Sequence, residues 1–182
     1  MYPYANMPVY HYGYMHHADP WNWANNTSYA QTFAPPFYDA SRSIDAIHDD
    51  YGKEPLVINI DQAAKQNHTF RTALWTGNHL QVTLMSIDVG DDIGLELHSD
   101  VDQFLHIEEG TGLVQMGPSK EALHFVRHVS NGSAIMVPAG AWHNITNTGS
   151  IPLKLYTIYA PPEHPFGTIH KTKADAMAAE GH

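Results

Sequence analysis

Short apolar runs separated by turn-forming residues recur along most of this chain, and they constrain its fold more than any other feature. Several runs alternate apolar and polar residues, as at Leu80, Val82 and Leu84, which is the pattern of a half-buried β-strand. Regularly spaced short strands are typical of an antiparallel sandwich or barrel. The predicted strands span residues 56–60, 69–76, 79–87, 93–98, 103–107, 112–116, 123–129, 133–138, 141–147 and 153–160.

The number of these strands predicts an all-β jelly-roll barrel over residues 53–165. Two further segments have helical character, at 61–67 and 173–180, and the second belongs to a C-terminal tail that begins at residue 166. A short helix is also predicted at 41–52, where serines are available as caps and Gly52 ends the segment.

The first 40 residues form a different region, in which neither helical nor strand periodicity is visible. Seven of the ten tyrosines lie there, together with five prolines that interrupt regular structure. We interpret residues 1–52 as a low-complexity Tyr/Pro/His-rich arm with the short helix at its end. Either the arm is a disordered tail, or its tyrosines bind an assembly partner. A third alternative is metal binding by its histidines, His11, His16 and His17.

Composition excludes several classes of site. The 182 residues include no cysteine, so disulfides, thiol nucleophiles and cysteine zinc sites are excluded, and any metal ligands must be nitrogen or oxygen atoms. The formal net charge is −10, and an acidic chain repels phosphate backbones, so we expect no nucleic-acid partner.

Membrane and secretion signals are not found in the sequence. No apolar run reaches the roughly 18 residues of a membrane span. The first 17 residues have neither the basic segment nor the continuous apolar segment of a secretory signal. We therefore expect no membrane partner and a cytoplasmic location, with a spore-associated location as the alternative.

Four polar residues on predicted strands are candidate ligands of one divalent metal. Glu96 and His98 are two residues apart on a strand, so their side chains share a face. Gln103 opens the next strand after a short turn, and His143 follows a Pro-Ala-Gly turn farther along. Carboxylate oxygen, amide oxygen and imidazole nitrogen suit a first-row divalent ion with open positions.

The spacing of these residues resembles the two motifs of the cupin superfamily. The first motif corresponds to Gly90, Glu96, His98, Gln103 and Gly110. The second is matched at every position, by Gly132, Pro138, Gly140, His143 and Asn147. The resemblance covers about residues 55–162 and implies a double-stranded β-helix, a jelly-roll barrel with a metal in its interior.

The match departs from the usual ligand set of three histidines and one glutamate. Glu96 replaces the first histidine, and Gln103 replaces the glutamate. The ligand set therefore keeps one carboxylate, which is at the first position instead of the third. Cupins of the mannose-6-phosphate isomerase type also have a non-histidine ligand in the first position. The ligand set Glu96, His98, Gln103 and His143 suits manganese, iron, zinc, nickel or cobalt. The resemblance also implies a homodimer.

Fold alone does not choose the chemistry of a cupin. One hypothesis is a metal-dependent protein that acts on or binds a small molecule in the barrel, in the manner of an oxygenase or a sugar isomerase. The alternative is a non-catalytic cupin that the arm attaches to an assembly, in a sporulation context suggested by the arm's composition. No general acid is identified. Arg71 is interpreted either as a clamp for an anionic substrate or as an outward-facing ion-pair partner, and Tyr156 and Tyr159 on the last strand as residues that line the pocket.

Overall fold

The structure is a computed structural model that describes residues 49–179. The aromatic arm, most of the predicted helix at 41–52 and the last three residues lie outside the described residues. The elements are α1 (Ile60–Gln66), β1 (Arg71–Thr76), β2 (Gln81–Ile87), β3 (Asp102–Glu109), β4 (Thr111–Gly117), β5 (Phe125–Ser130), β6 (Ala134–Val137), β7 (Trp142–Asn147), β8 (Leu153–Ala160), β9 (Ile169–His170) and α2 (Lys173–Ala179).

The strands form two antiparallel sheets, which confirms the predicted all-β jelly roll. The larger sheet has the order β6-β3-β8-β2-β1-β9, and the smaller one has the order β5-β4-β7. Apolar side chains from the inner faces of both sheets make the core, including Leu105, Val114, Ile145 and Leu155, none of which exposes more than 1% of its surface. Two helices were predicted in the described part of the chain, and α1 and α2 confirm both.

Two predicted strands are wrong. Residues 56–59 form a loop and Ile60 is already the first residue of α1, which the side chain of Asn59 caps by accepting a hydrogen bond from the Gln62 amide. Residues 93–98 are not a regular strand, because Gly94 has a φ of +91° and interrupts the extended backbone. The segment pairs with β7 only through isolated bridges at Asp92 and Glu96.

Alternation along two strands directs the candidate ligands toward the interior. On β3, Gln103, Leu105 and Ile107 are buried, while the residues between them are partly exposed. On β7, His143 and Ile145 are buried in the same alternating way. Because successive side chains of a strand point to opposite faces, Gln103 and His143 both face the core from opposite sheets.

Neither helix in the described part of the chain has the length and apolar character needed to cross a membrane.

Candidate metal centre

An isolated β-bridge places Glu96 beside His143. Each residue donates its backbone N–H to the carbonyl of the other, at 3.0 Å in both directions. Directly opposed residues of an antiparallel pair have their side chains on the same face, so the carboxylate and the imidazole meet. His98 is held close by a 2.7 Å hydrogen bond from the Gly140 amide to its carbonyl. Gly140 has a φ of +79°, which explains the glycine of the Pro-Ala-Gly turn.

Three of the four predicted ligands form one cluster. Ligand atoms of Glu96, His98 and His143 all lie within 4.8 Å of one another. The Oε1 atom of Glu96 is 3.2 Å from His143 Nε2 and 3.5 Å from His98 Nε2. One carboxylate oxygen and two imidazole nitrogens therefore converge from three separate segments of the chain.

The other nitrogen of each imidazole is engaged outside the cluster. His98 Nδ1 lies 3.1 Å from Oε1 of Glu163, and His143 Nδ1 lies 3.0 Å from the carbonyl oxygen of Ala141. A carboxylate or carbonyl that accepts from Nδ1–H fixes the tautomer in which Nε2 carries the lone pair. In this tautomer both Nε2 atoms can donate their lone pair to a metal. The Nε2 of His98 is buried and has no hydrogen-bond partner among the described residues.

Gln103, the fourth predicted ligand, also has a side chain that fits a metal. It is 3% exposed, and its Nε2 donates to Thr157 Oγ1 at 3.2 Å. Its Oε1 is buried and has no hydrogen-bond partner within the described part of the chain. A buried amide oxygen without a partner is costly unless a ligand satisfies it. Gln103 lies directly opposite Tyr159, whose ring is 5.6 Å from that of His98.

Arg71 lies behind the cluster and changes its electrostatics. Its side chain is 1% exposed, and its terminal nitrogen is 3.8 Å from Oε2 of Glu96. The outward ion pair considered for Arg71 is therefore wrong, because the residue faces the interior. Burial raises the pKa of Glu96, but the close contacts with the imidazoles of His143 and His98, together with the charge of Arg71, outweigh burial and lower that pKa to about 2. Glu96 is therefore a carboxylate at any physiological pH.

Three further groups around the cluster have shifted pKa values. Burial lowers the pKa of His98, but its contact with Glu96 and the charge of Glu163 produce a net increase. Burial raises the pKa of Tyr159, whose hydroxyl therefore stays protonated. Burial, aided by the charge of Arg71, lowers the pKa of His164 to about 3, so that this histidine stays neutral.

Two residues that contact the cluster, Glu163 and Arg71, were not predicted from the sequence to do so. Glu163 lies in the loop after β8, and nothing in the spacing of residues near it connects it with His98. Arg71 was recognised as a charge within an apolar strand, but its partner was not identified. Of the two tyrosines predicted to line the pocket, Tyr159 is buried beside the cluster, in ring contact with His98 and His164. Tyr156 instead stacks on His106, on the opposite face of the sheet.

Comparisons with known proteins agree with this fold and site. Residues 83–159 match the family model described as a cupin domain. The chain is 68% identical over 131 residues to the uncharacterized protein YrkC of Bacillus subtilis, which covers 72% of this chain and 70% of that protein. It is 40% identical over 114 residues to an uncharacterized protein of Acanthamoeba polyphaga mimivirus, which covers 62% and 69% of the two chains.

A solved structure supports the same assignment. The crystal structure of BH2720 from Bacillus halodurans is 62% identical and superposes with a TM-score of 0.71. The match covers 71% of this chain and 98% of that one. The two-sheet fold, both motifs and the family match agree, and the chain belongs to the cupin superfamily.

Proposed function

We propose that Glu96, His98, Gln103 and His143 bind one divalent first-row metal, and that the protein acts on or binds a small molecule at that metal. The observation that carries the proposal is the convergence of two imidazole Nε2 atoms on one carboxylate oxygen, with both Nδ1 atoms engaged elsewhere. This arrangement is typical of histidines that ligate metals. Manganese, iron, zinc, nickel and cobalt all suit such a nitrogen and oxygen set.

A bound metal would act as a Lewis acid on an oxygen of the small molecule. The side chains around the metal would orient the small molecule and fix which groups carry a proton. Glu96 stays ionised, since its pKa is about 2. Tyr159 keeps its proton, and its hydroxyl, which has no hydrogen-bond partner among the described residues, is available to donate to a ligand oxygen. These features are compatible with oxygenase-like or sugar-isomerase-like chemistry, including that of the mannose-6-phosphate isomerase type.

The proposal is tested by measuring metal affinity in a competition titration with a fluorescent metal indicator. We expect His98→Ala to weaken binding of Mn²⁺ or Co²⁺ by at least about 100-fold, because it removes one of two imidazoles and the group that Glu163 orients. His106→Ala is the matched control, because His106 lies on the opposite face of β3, stacked on Tyr156. Equal metal affinity in the wild type and His98→Ala would contradict the proposal.

The alternative is a non-catalytic cupin whose arm attaches it to an assembly, in a cytoplasmic or spore-associated setting. The composition of residues 1–40 supports it, because seven tyrosines offer a large adhesive surface. Removing residues 1–40 separates the two candidates. Turnover that survives the removal supports the enzyme, whereas loss of assembly in a protein without turnover supports the binding protein.

A further inference from the structure

A cleft opens where the two sheets separate, between the edge strands β5 and β6. Its volume is about 530 Å³, which is within the range of small-molecule sites. The core residues Val114, Met116 and Ile135 form its floor. Phe125 on β5 and Met136 on β6 stand at its rim, 47% and 66% exposed. The cleft therefore connects solvent with the interior of the barrel.

The strand register connects this cleft with the candidate metal centre. Phe125 lies opposite Met116, Met116 lies opposite His143, and His143 lies opposite Glu96. Opposed residues share a face, so these four side chains form one inward-facing row across the smaller sheet. Phe125 is two strands away from His143, a distance of about 10 Å at the usual strand spacing. In the other sheet, Gln103 lies opposite Val137 of β6.

A second, apolar cavity adjoins the cleft and shares Met116, Phe125 and Met136 with it. This cavity has a volume of about 330 Å³ and is also lined by Gly117, Pro138 and Ala141. Ala141 also provides the carbonyl that lies 3.0 Å from His143 Nδ1, so this cavity lies beside the His143 ring on its Nδ1 side. Met116, which is opposite His143 in the strand register, lines both cavities. The guanidinium of Arg127 lies 4.6 Å from the centre of the Phe125 ring, on which it packs. Thioether and aromatic groups form surfaces that accommodate apolar groups of varied shape.

We propose that the cleft holds the apolar body of an amphipathic small molecule whose oxygen-bearing end is at the metal centre. This inference rests on the proposed metal site and names the substrate class for it: compounds with an aryl or branched alkyl body and one chelating oxygen group. A sugar fits the smaller cavity poorly, because its hydroxyl groups would lose water against apolar side chains. The polar residues Arg127, His128 and Ser133 line only the larger cleft.

The test compares two hydroxamates with the same chelating head, benzohydroxamate and acetohydroxamate, on the Co²⁺-loaded full chain by isothermal titration calorimetry. We expect benzohydroxamate to bind at least about tenfold more tightly, because its phenyl group is buried in the cleft. Phe125→Ala should lower this ratio several-fold. Val126→Ala is the matched control, since Val126 is 40% exposed but faces the other side of β5, and it should leave the ratio unchanged.

The possible outcomes distinguish a failure of the cleft proposal from a failure of the metal-site proposal. Equal affinities of the two hydroxamates, or equal ratios in the wild type and Phe125→Ala, would overturn the cleft proposal while the metal site stands. Displacement of benzohydroxamate by millimolar mannose 6-phosphate would also overturn it, in favour of a sugar substrate. If neither hydroxamate binds and Co²⁺ is not retained, the proposed metal site fails and the cleft proposal fails with it.

Discussion

At the scale of single residues, the two cupin motifs pointed to Glu96, His98 and His143, which the structure brings into one cluster, while their role as metal ligands stays a prediction. The spacing of Glu96, His98 and His143 was sufficient to bring them together, because each lies at a fixed position relative to a turn. Arg71 and Glu163 were not predicted as partners, since their contacts with Glu96 and His98 join segments far apart in the chain. Sequence periodicity reports the face of a strand, but it does not report which side chains meet across the barrel.

Gln103→Glu tests whether the amide oxygen of Gln103 is a ligand. We expect it to tighten binding of Mn²⁺ about tenfold, because a second carboxylate adds negative charge to a site whose Glu96 is already compensated by Arg71. Gln115→Glu, on the outward-facing side of β4, is the matched control and should leave metal affinity unchanged. Unchanged or weaker binding in Gln103→Glu, measured by the same indicator titration, would remove Gln103 from the ligand set.

At the scale of strands and turns, most of the sheet could be predicted, and the exceptions have local causes. The apolar runs correctly indicated β1 through β8, and strands such as β3, β4 and β7 alternate between buried and less buried residues as such runs predict. The prediction of a strand at 93–98 was wrong because the segment contains Gly94, whose positive φ interrupts the extended backbone.

The second motif also contains a purely structural residue. Asn147 is buried and donates to the carbonyls of Ile87 and Ile151, each at 2.9 Å, and accepts from the Gly149 amide.

Asn147→Ala should therefore destabilise the fold without weakening the metal site. Losing the amide leaves two carbonyls without their donor, and we expect the free energy of unfolding to fall by about 2–4 kcal/mol. Asn144→Ala is the control, because Asn144 is partly buried and makes one hydrogen bond, to Asp92. Urea unfolding and metal titration of both variants make the comparison. Normal stability with lost metal in Asn147→Ala would assign Asn147 to the ligands instead.

At the scale of the whole molecule, the barrel encloses several buried polar groups, and the titration of some of them makes stability depend on pH. His164 is neutral in the folded state, with a pKa of about 3 against 6.5 for an exposed histidine. Between these two values the unfolded chain binds a proton that the folded chain does not, so stability falls as the pH falls. Glu96 acts in the same direction only below 4.5, the pKa of an unperturbed glutamate, and His98, whose pKa is raised, acts in the opposite direction near neutrality.

His164→Gln isolates the contribution of His164. In the metal-free wild type, this group should cost about 1.4 kcal/mol of stability for each pH unit below 6.5, until the pH approaches 3. The variant lacks that contribution, so its stability relative to the wild type should rise as the pH falls. Urea unfolding of both proteins at pH 7.5 and pH 5 measures the difference. A difference in stability that is the same at both pH values would show that His164 titrates normally in the fold.

The homodimer also belongs to this scale and stays a prediction. One row on the outer face of the larger sheet joins Met136, Phe104 and Ile158 in register, and Met136 is 66% exposed. An apolar row of this kind suits packing against a second copy. Sedimentation equilibrium at micromolar concentration should give a dimer mass for the wild type, and Met136→Lys should shift it toward monomer. A wild-type monomer would contradict the prediction.

The most direct test of the central claim is the metal content of the full chain, measured by inductively coupled plasma mass spectrometry. Protein is stripped with a chelator, reloaded with Mn²⁺, Fe²⁺, Co²⁺, Ni²⁺ or Zn²⁺ in turn, and freed of unbound ion. We predict that the wild type retains about one more equivalent of metal than His143→Ala, which lacks one of only two imidazole ligands. His128→Ala, on the exposed strand β5, is the control and should match the wild type. Equal metal content in the wild type and His143→Ala, for every ion, would contradict the account.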